Sequence, residues 1–98
     1  MRRVNFDDFQ AGLKDATPPS TLNGALLALW HDKRGNWDLA HDAAQADESK
    51  NGGWVHAYLH RKEGDISNAG YWYSRAGKPA YSGPLDEEWE SIARALTS

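Results

Sequence analysis

Three side chains that can bind a metal ion fall at helical spacing in the middle of this chain. His56 and His60 are four residues apart and Glu63 follows three residues later, so a helix would place all three on one face. Imidazole and carboxylate groups are the usual ligands of catalytic zinc, which keeps one coordination position open for water. With His31 on a neighbouring helix, the spacing predicts a divalent metal site formed by His31, His56, His60 and Glu63.

The same histidines also fit a purely structural role. His31 and His60 lie near the C-terminal ends of predicted helices, where an imidazole interacts favourably with the helix dipole. The spacing also lacks the glutamate that directly follows the first histidine in the zinc-binding helix of many metalloproteases. The simpler interpretation is therefore a chain without a cofactor, and the divalent metal is the alternative.

A second group combines cationic, aromatic and amide side chains. Asn68, Trp72 and Arg75 share one stripe of a predicted helix, and Arg61 lies on the helix before it. Because arginine stacks on aromatic rings and pairs with carboxylates, these residues predict a groove for a peptide segment or a small anion. The competing interpretation packs the aromatic rings in the core and leaves the cations in solvent. The predicted ligand-binding residues are His31, His41, His56, His60, Arg61, Asn68, Trp72 and Arg75.

Composition argues against several classes of function. The net charge of −3 is unlike that of a nucleic-acid-binding protein, which usually has a basic face. No apolar run approaches the roughly 18 residues of a membrane-spanning helix, and no apolar stretch near the N-terminus resembles a signal peptide. The absence of cysteine excludes disulfides and thiolate zinc sites. We therefore expect a cytoplasmic protein that binds neither nucleic acid nor membrane.

An internal repeat indicates which elements position these residues. Residues 27–40 align with residues 56–69, which lie 29 positions later. The identical pairs are Ala28/Ala57, His31/His60, Lys33/Lys62, Gly35/Gly64 and Ala40/Ala69. A repeat of this length is typical of stacked helical hairpins. We therefore expect two hairpins, over residues 21–46 and 54–77, each turning at one of the repeated glycines.

Two flanking helices complete the expected single domain, which spans residues 1–98. An N-terminal helix is predicted over Phe6–Asp15, and residues 85–96 form an amphipathic helix that caps the stack. The polar, glycine-ended segment Asp47–Gly53 predicts a flexible loop before a helix that begins at Trp54. The predicted fold is therefore all-α, with two stacked hairpins between flanking helices.

The second hairpin resembles a tetratricopeptide-type unit. Such units place small residues where the two helices cross, a glycine at the corner and a large aromatic residue on the second helix. The matching residues here are Ala57, Gly64, Ala69, Tyr73 and Ala76. The first hairpin keeps only Ala28, Gly35 and Ala40, and the period is shorter than the usual ~34 residues. The resemblance implies a stack of helical hairpins.

A longer stretch of the chain resembles a second group of proteins. The segment HRKEGDISNAGYWYSRAG, residues 60–77, is similar to a family of small uncharacterised bacterial proteins. Trp30–Asp32 and Trp37–His41 extend this similarity over most of the chain. The resemblance implies a bacterial protein and brings no activity with it.

These observations lead to two functional hypotheses. The preferred one is a non-catalytic module that binds a peptide segment or small anion between its hairpins. Two repeats are fewer than a stable stack needs, so either the terminal helices cover the exposed faces or a second copy does so in a homodimer. The alternative is an enzyme, a metal-dependent hydrolase with Glu63 or Asp38 as general base beside the bound ion.

Overall fold

Six α-helices and the turns between them account for residues 4–97, the part of the chain that this computed structural model describes. The helices are α1 (Phe6–Gly12), α2 (Gly24–Lys33), α3 (Trp37–Ala46), α4 (Lys50–Glu63), α5 (Ile66–Ala76) and α6 (Leu85–Leu96). No strand occurs among these residues, which confirms the all-α prediction. Among residues 4–97, no helix combines the length and the hydrophobicity of a transmembrane span.

Helices α2 to α5 form two helical hairpins. The closest packing joins α4 to α5 and α2 to α3, and α3 also packs against α4, which stacks one hairpin on the other. Gly35 and Gly64 make the corners with φ of +83° and +93°, a conformation that glycine adopts without steric cost. Asn36 and Asp65 then cap α3 and α5 by accepting hydrogen bonds from backbone amides three residues on. The narrower likeness to tetratricopeptide units stays a prediction.

Tryptophans join the terminal helices to the first hairpin. Trp89 of α6 stacks on Phe9 of α1, and its indole donates a hydrogen bond to the Leu29 carbonyl over 3.0 Å. The Trp30 indole donates to the Gly12 carbonyl over 2.9 Å. Each large ring removes apolar surface from water while its N–H finds a partner. Helices α1, α2 and α6 therefore share one core with α4.

Lys62, one of the repeated residues, ties α4 to α2. Its Nζ lies 2.8 Å from Asp32 Oδ1, and the Tyr58 hydroxyl donates to the other carboxylate oxygen over 2.6 Å. Asp32 is buried, and an unpaired carboxylate there would be costly. Lys33, the repeat partner of Lys62, instead lies over the Trp89 ring, 4.8 Å from the centroid. Both repeated lysines therefore stabilise the packing of the helices.

The predicted loop Asp47–Gly53 is wrong in its second half, because helix α4 already begins at Lys50. Ser49 caps the helix, and its Oγ accepts a hydrogen bond from the Gly52 amide over 3.4 Å. A Cβ at Gly52 would overlap the carbonyl oxygen of Asp47. The glycine therefore lets the chain fold back tightly at the start of α4 rather than making a flexible tip.

Helix α1 is also shorter than predicted, since it ends at Gly12 rather than at Asp15. The amides of Lys14 and Asp15 donate to the carbonyls of Ala11 and Gly12 in tight turns. The chain then folds back over the helix end, where Pro19 Cγ lies 3.2 Å from the position that a Cβ on Gly12 would take. Tight turns and the packing of Pro19 therefore take the place of the last helical turn in the predicted helix.

Candidate functional site

Helices α3 and α4 bring three imidazoles together. His56 and His60 lie one turn apart on α4, and His41 reaches them from α3. One ring nitrogen from each residue lies within 4.8 Å of the other two, and the Nε2 atoms of His41 and His56 are 3.0 Å apart. We call His41, His56 and His60 the histidine cluster. His56 and His60 are buried and His41 is half-buried, which limits the access of water to the cluster.

Two tryptophans fix the orientation of the rings. Trp37 of α3 stacks on His41 with centroids 4.9 Å apart, and its indole donates a hydrogen bond to the Leu59 carbonyl over 2.9 Å. Trp72 of α5 stacks on His56 with centroids 4.0 Å apart and planes at 19°. A stacked ring cannot turn without losing this contact. Side chains from α3 and α5 therefore hold two of the imidazoles in place.

A carboxylate orients the third imidazole. Glu63 Oε2 lies 2.7 Å from His60 Nδ1 on the same helix. When His60 is neutral, Nδ1–H donates to this carboxylate and the Nε2 lone pair is left for another partner. Histidines that bind metal ions commonly have such a carboxylate on their other nitrogen. His60, Glu63 and Asp65 also form a second group of close polar atoms, but its two carboxylates are exposed.

Burial keeps the central imidazole neutral. His56 is 3% exposed, and this desolvation, with repulsion from charge on His41 and His60, lowers the pKa of His56 to about 4. A neutral imidazole has a lone pair at pH 7, so it can accept a hydrogen bond or bind a metal ion. His56 therefore has the protonation state that a metal ion requires of a histidine ligand.

His31 does not join the cluster, so the predicted four-residue metal set is not assembled. Its ring meets the edge of Trp30 at 5.2 Å and lines a separate cavity of about 290 Å³ beside Pro18. The repeat explains why His31 and His60 lie apart. Equivalent positions in a stack of hairpins each contact the element that precedes their own hairpin, so they do not contact each other. His60 faces α3, the helix before its own hairpin, and His31 faces the segment before α2. His41 takes the place that was predicted for His31.

A cavity of about 450 Å³ opens beside the cluster, between the end of α3, the start of α4 and helix α5. We call this cavity the α4 groove. It is lined by Ala44, Gln45, Asp47, Glu48, Ser49, Lys50, Gly53, His56, Trp72 and Arg75. Three of these residues, His56, Trp72 and Arg75, belong to the predicted ligand-binding set.

Arg75 presents an uncompensated charge at the groove. Its Nη1 donates to the Tyr71 hydroxyl over 3.0 Å, and its guanidinium lies over the Trp72 ring, 5.3 Å from the centroid. Neither contact neutralises the charge. Within residues 4–97, no carboxylate forms an ion pair with Arg75 or with Lys50. Two cations of the groove are therefore available to a ligand.

Asp47 lines the same groove, but its carboxylate is already satisfied. Oδ1 accepts hydrogen bonds from the amide and hydroxyl of Ser49 over 3.0 and 2.6 Å. Oδ2 accepts from the Ala25 amide over 3.0 Å at the start of α2. Partial burial acts to raise the pKa of Asp47, but these hydrogen bonds outweigh it and lower the pKa below its ordinary value. The charge of Asp47 therefore serves to join the two hairpins.

Five predicted ligand-binding residues do not line the groove: His31, His41 and His60, described above, and Arg61 and Asn68. Arg61 donates to Glu88 over 2.9 Å and also to the Gly83 carbonyl. Glu88 is only 1% exposed and accepts a second hydrogen bond from the Tyr73 hydroxyl. The structure therefore shows Arg61 as the partner of a buried carboxylate, and its binding role stays a prediction. Asn68 is half-buried on α5 and does not line the groove.

Sequence reasoning missed the groove residues at the start of α4. Gln45, Glu48 and Lys50 line the groove, but they flank or belong to the segment that was predicted as a flexible loop. Ser49 carries the signal that could have identified the helix start, because serine is a preferred helix cap. Recognising that cap would have placed Lys50 on α4, on the same helix as His56.

No protein-family model, curated protein or solved structure matches this chain. The geometry of the histidine cluster and the α4 groove is therefore the basis for a functional interpretation. The cluster offers imidazole lone pairs and the groove offers cations, and His56 belongs to both.

Proposed function

We propose that this chain is a non-catalytic helical binding module whose ligand is a small organic carboxylate, such as the C-terminal end of a peptide, held in the α4 groove. One observation carries the proposal. Arg75 lies over Trp72 at the edge of a cavity of about 450 Å³ and has no carboxylate partner among residues 4–97. Cavities of roughly 300–1,000 Å³ are typical of small-molecule sites.

The side-chain donors left open in the groove favour an anion. Lys50 and Arg75 are cations without an ion-pair partner in the described chain, whereas Glu48 is the one carboxylate of the lining that is not engaged in hydrogen bonds there. Asp47 is engaged by Ser49 and Ala25, and His56 is neutral at pH 7. The formal charges of these four charged side chains therefore cancel, but the carboxylate of Asp47 is already hydrogen-bonded, whereas donors of Lys50 and Arg75 remain for a ligand.

The chemistry of Arg75 favours a carboxylate among anions. A guanidinium pairs with a carboxylate through two parallel N–H donors, and stacking on an indole orients its plane. The Arg75 guanidinium is already held between the Tyr71 hydroxyl and the Trp72 ring, so less side-chain entropy is lost on binding. Gln45, near the end of α3, adds a side-chain amide to the lining of the groove.

The hydrolase alternative has less support from the geometry. The two bases predicted for it are Glu63 and Asp38. Glu63 is hydrogen-bonded to His60 Nδ1, and Asp38 is exposed on α3 without a hydrogen bond or ion pair to the histidine cluster. A general base must reach the proton that it removes, so the engagement of Glu63 by His60 and the exposure of Asp38 favour the binding module over the hydrolase.

The test is an NMR titration of ¹⁵N-labelled protein with N-acetyl-Ala-Ala and with its C-terminal amide. We expect the acid, and not the amide, to shift amide resonances of α4 and α5 around the groove. Arg75→Gln should weaken this binding at least tenfold, because it removes the guanidinium whose two N–H donors would hold the carboxylate. Arg94→Gln is the matched control, since Arg94 is an exposed arginine on α6 that pairs with Glu90.

Equal binding of the acid and the amide would overturn the proposal, as would Arg75→Gln protein that binds like the wild type. An acid that shifts no resonance of the groove at any concentration would overturn it as well.

A further inference from the structure

We propose that the histidine cluster is a binding site for one divalent transition-metal ion of the zinc type, with Glu63 as a positioning residue for His60. This site differs from the predicted set, because His41 supplies the third imidazole and His31 does not take part. The proposal is independent of the carboxylate site, since it rests on different side chains apart from His56.

The spacing of the ring nitrogens fits a single ion. Zinc–nitrogen bonds of about 2.0–2.1 Å at tetrahedral angles separate ligand nitrogens by roughly 3.4 Å. The His41 and His56 Nε2 atoms are 3.0 Å apart, and the three ligand nitrogens of the cluster lie within 4.8 Å of one another. These separations are close to the spacing that one ion requires. Three protein ligands leave the fourth position to water or to another ligand.

The residues around the cluster match the surroundings of metal-binding histidines. Glu63 holds His60 Nδ1 at 2.7 Å, the carboxylate–histidine arrangement that directs the other nitrogen toward a metal ion. Trp37 and Trp72 stack on the other two imidazoles and keep their rings from turning. Such support limits the freedom that the ligands lose on binding.

A structural role explains only part of the cluster. His41 and His56 can satisfy each other through one hydrogen bond, and that pair needs no third imidazole. His60 is 7% exposed, and within residues 4–97 its hydrogen bonding runs through Nδ1 alone. An apolar residue at position 60 would pack without the desolvation cost of a buried polar ring. A metal ion accounts for the third imidazole and for its orientation.

Imidazole ligands select among ions. They suit zinc, copper, nickel and iron, whereas calcium and magnesium prefer oxygen ligands. The three nitrogens of the cluster, with the nearby carboxylate engaged by His60, therefore favour Zn²⁺ over Mg²⁺. Mg²⁺ is a negative probe for the same site.

The first experiment uses untagged full-length protein that has been stripped with a chelator. Titration with Zn²⁺ should saturate at one ion per chain and raise the melting temperature, while Mg²⁺ should do neither. Titration with Co²⁺ should give the intense visible absorption of a tetrahedral, nitrogen-ligated ion, and Zn²⁺ should displace it. Since both measurements use the wild-type chain, they do not depend on whether a variant folds.

The second experiment identifies the ligands. His41→Ala, at a half-buried position, should weaken Zn²⁺ binding at least tenfold, and His31→Ala is the control that should bind as the wild type does. Glu63→Gln should weaken binding about 10- to 100-fold through His60, whereas Glu90→Gln on the exposed face of α6 should not. In addition, Arg75→Gln should leave Zn²⁺ binding unchanged, which separates this site from the carboxylate site.

Three outcomes would overturn the metal proposal. Stripped wild-type protein that takes up no Zn²⁺ and gives no Co²⁺ spectrum would show that the cluster is structural. A His31→Ala protein that loses binding, or a folded His41→Ala protein that keeps it, would show that the ion is held elsewhere.

Discussion

The imidazoles of His41 and His56 meet through their Nε2 atoms, 3.0 Å apart, and so link helix α3 to helix α4. A neutral imidazole has one N–H and one lone pair, so one ring donates this hydrogen bond and the other accepts it. If both rings carried a second proton, two N–H groups would face each other. The link between the hairpins therefore requires that at least one of the two rings be neutral.

This requirement predicts an acid-sensitive stability. The pKa of His56 is about 4 in the folded chain and about 6.5 when unfolded, so between these values the unfolded state binds more protons. The free energy of unfolding therefore falls as the pH is lowered from about 6.5 to about 4. Above pH 6.5, where His56 is neutral in both states, its titration lowers the stability no further. Urea unfolding of chelator-treated protein across this range measures the loss.

The control for this prediction is His56→Phe, which keeps an aromatic ring on Trp72 but cannot be protonated. Its free energy of unfolding should fall less steeply over the same range. Identical pH slopes for the two proteins would contradict the assigned role of His56.

A second prediction concerns the buried pair of Arg61 and Glu88. Arg61→Met removes the partner of a carboxylate that is 1% exposed, and breaking such a pair costs about 3–5 kcal/mol. Burial raises the pKa of Glu88, although the Tyr73 hydrogen bond and the Arg61 charge oppose the rise. Without Arg61 the carboxylate protonates more readily, so the cost should shrink at acidic pH. Chemical denaturation at neutral and acidic pH measures both effects.

Two variants complete this test. Arg61→Met combined with Glu88→Gln should recover part of the lost stability, because no buried charge is then unpaired. Arg94→Ala removes an exposed ion pair with Glu90 and should cost no more than about 1 kcal/mol. If Arg61→Met were no more destabilising than Arg94→Ala, Arg61 would be free for the binding role that the sequence predicts.

Local signals made the hairpins predictable. Gly35 and Gly64 stop their helices, and Asn36 and Asp65 cap the next ones, through contacts within a few residues in sequence. The position of His31 depends instead on which helix packs on which, and a repeat relates residues along the stack without bringing them together. Periodicity could therefore locate α2 to α5 but could not select His41 as the third imidazole.

The start of α4 could not be predicted from the sequence for a related reason. Glycine pairs favour turns on average, whereas Gly52 and Gly53 are buried where Asp47 and Trp72 approach the helix. Only the tertiary packing distinguishes a glycine needed for close approach from one needed for a turn. The α4 groove lies at the start of α4, so predicting a loop there also prevented the identification of Lys50 as a groove residue.

A third prediction follows from the tight turn before α4. Gly52→Ala would place a methyl group into the Asp47 carbonyl and 2.6 Å from the Asp47 Cβ, so we expect a loss of about 1–3 kcal/mol. Gly70→Ala on α5 is the matched control, because no atom lies within 4 Å of its added Cβ. Alanine there should stabilise the helix by about 0.5–1 kcal/mol. Thermal unfolding should thus shift in opposite directions, and a stabilised Gly52→Ala protein would refute the assigned close approach.

A fourth prediction joins the two proposed sites. His56 belongs to the histidine cluster and also lines the α4 groove, so an ion bound at the cluster adds positive charge beside the proposed carboxylate site. Zn²⁺ should therefore strengthen the binding of N-acetyl-Ala-Ala by about fivefold or more, within the usual range of coupling between sites. Thermodynamic linkage then requires the peptide to strengthen Zn²⁺ binding by the same factor. Calorimetric titrations in both orders measure the two factors, and His31→Ala protein should reproduce them.

A peptide affinity that is the same with and without Zn²⁺ would contradict this coupling. It would show that the ion and the carboxylate bind independently, even if each site exists.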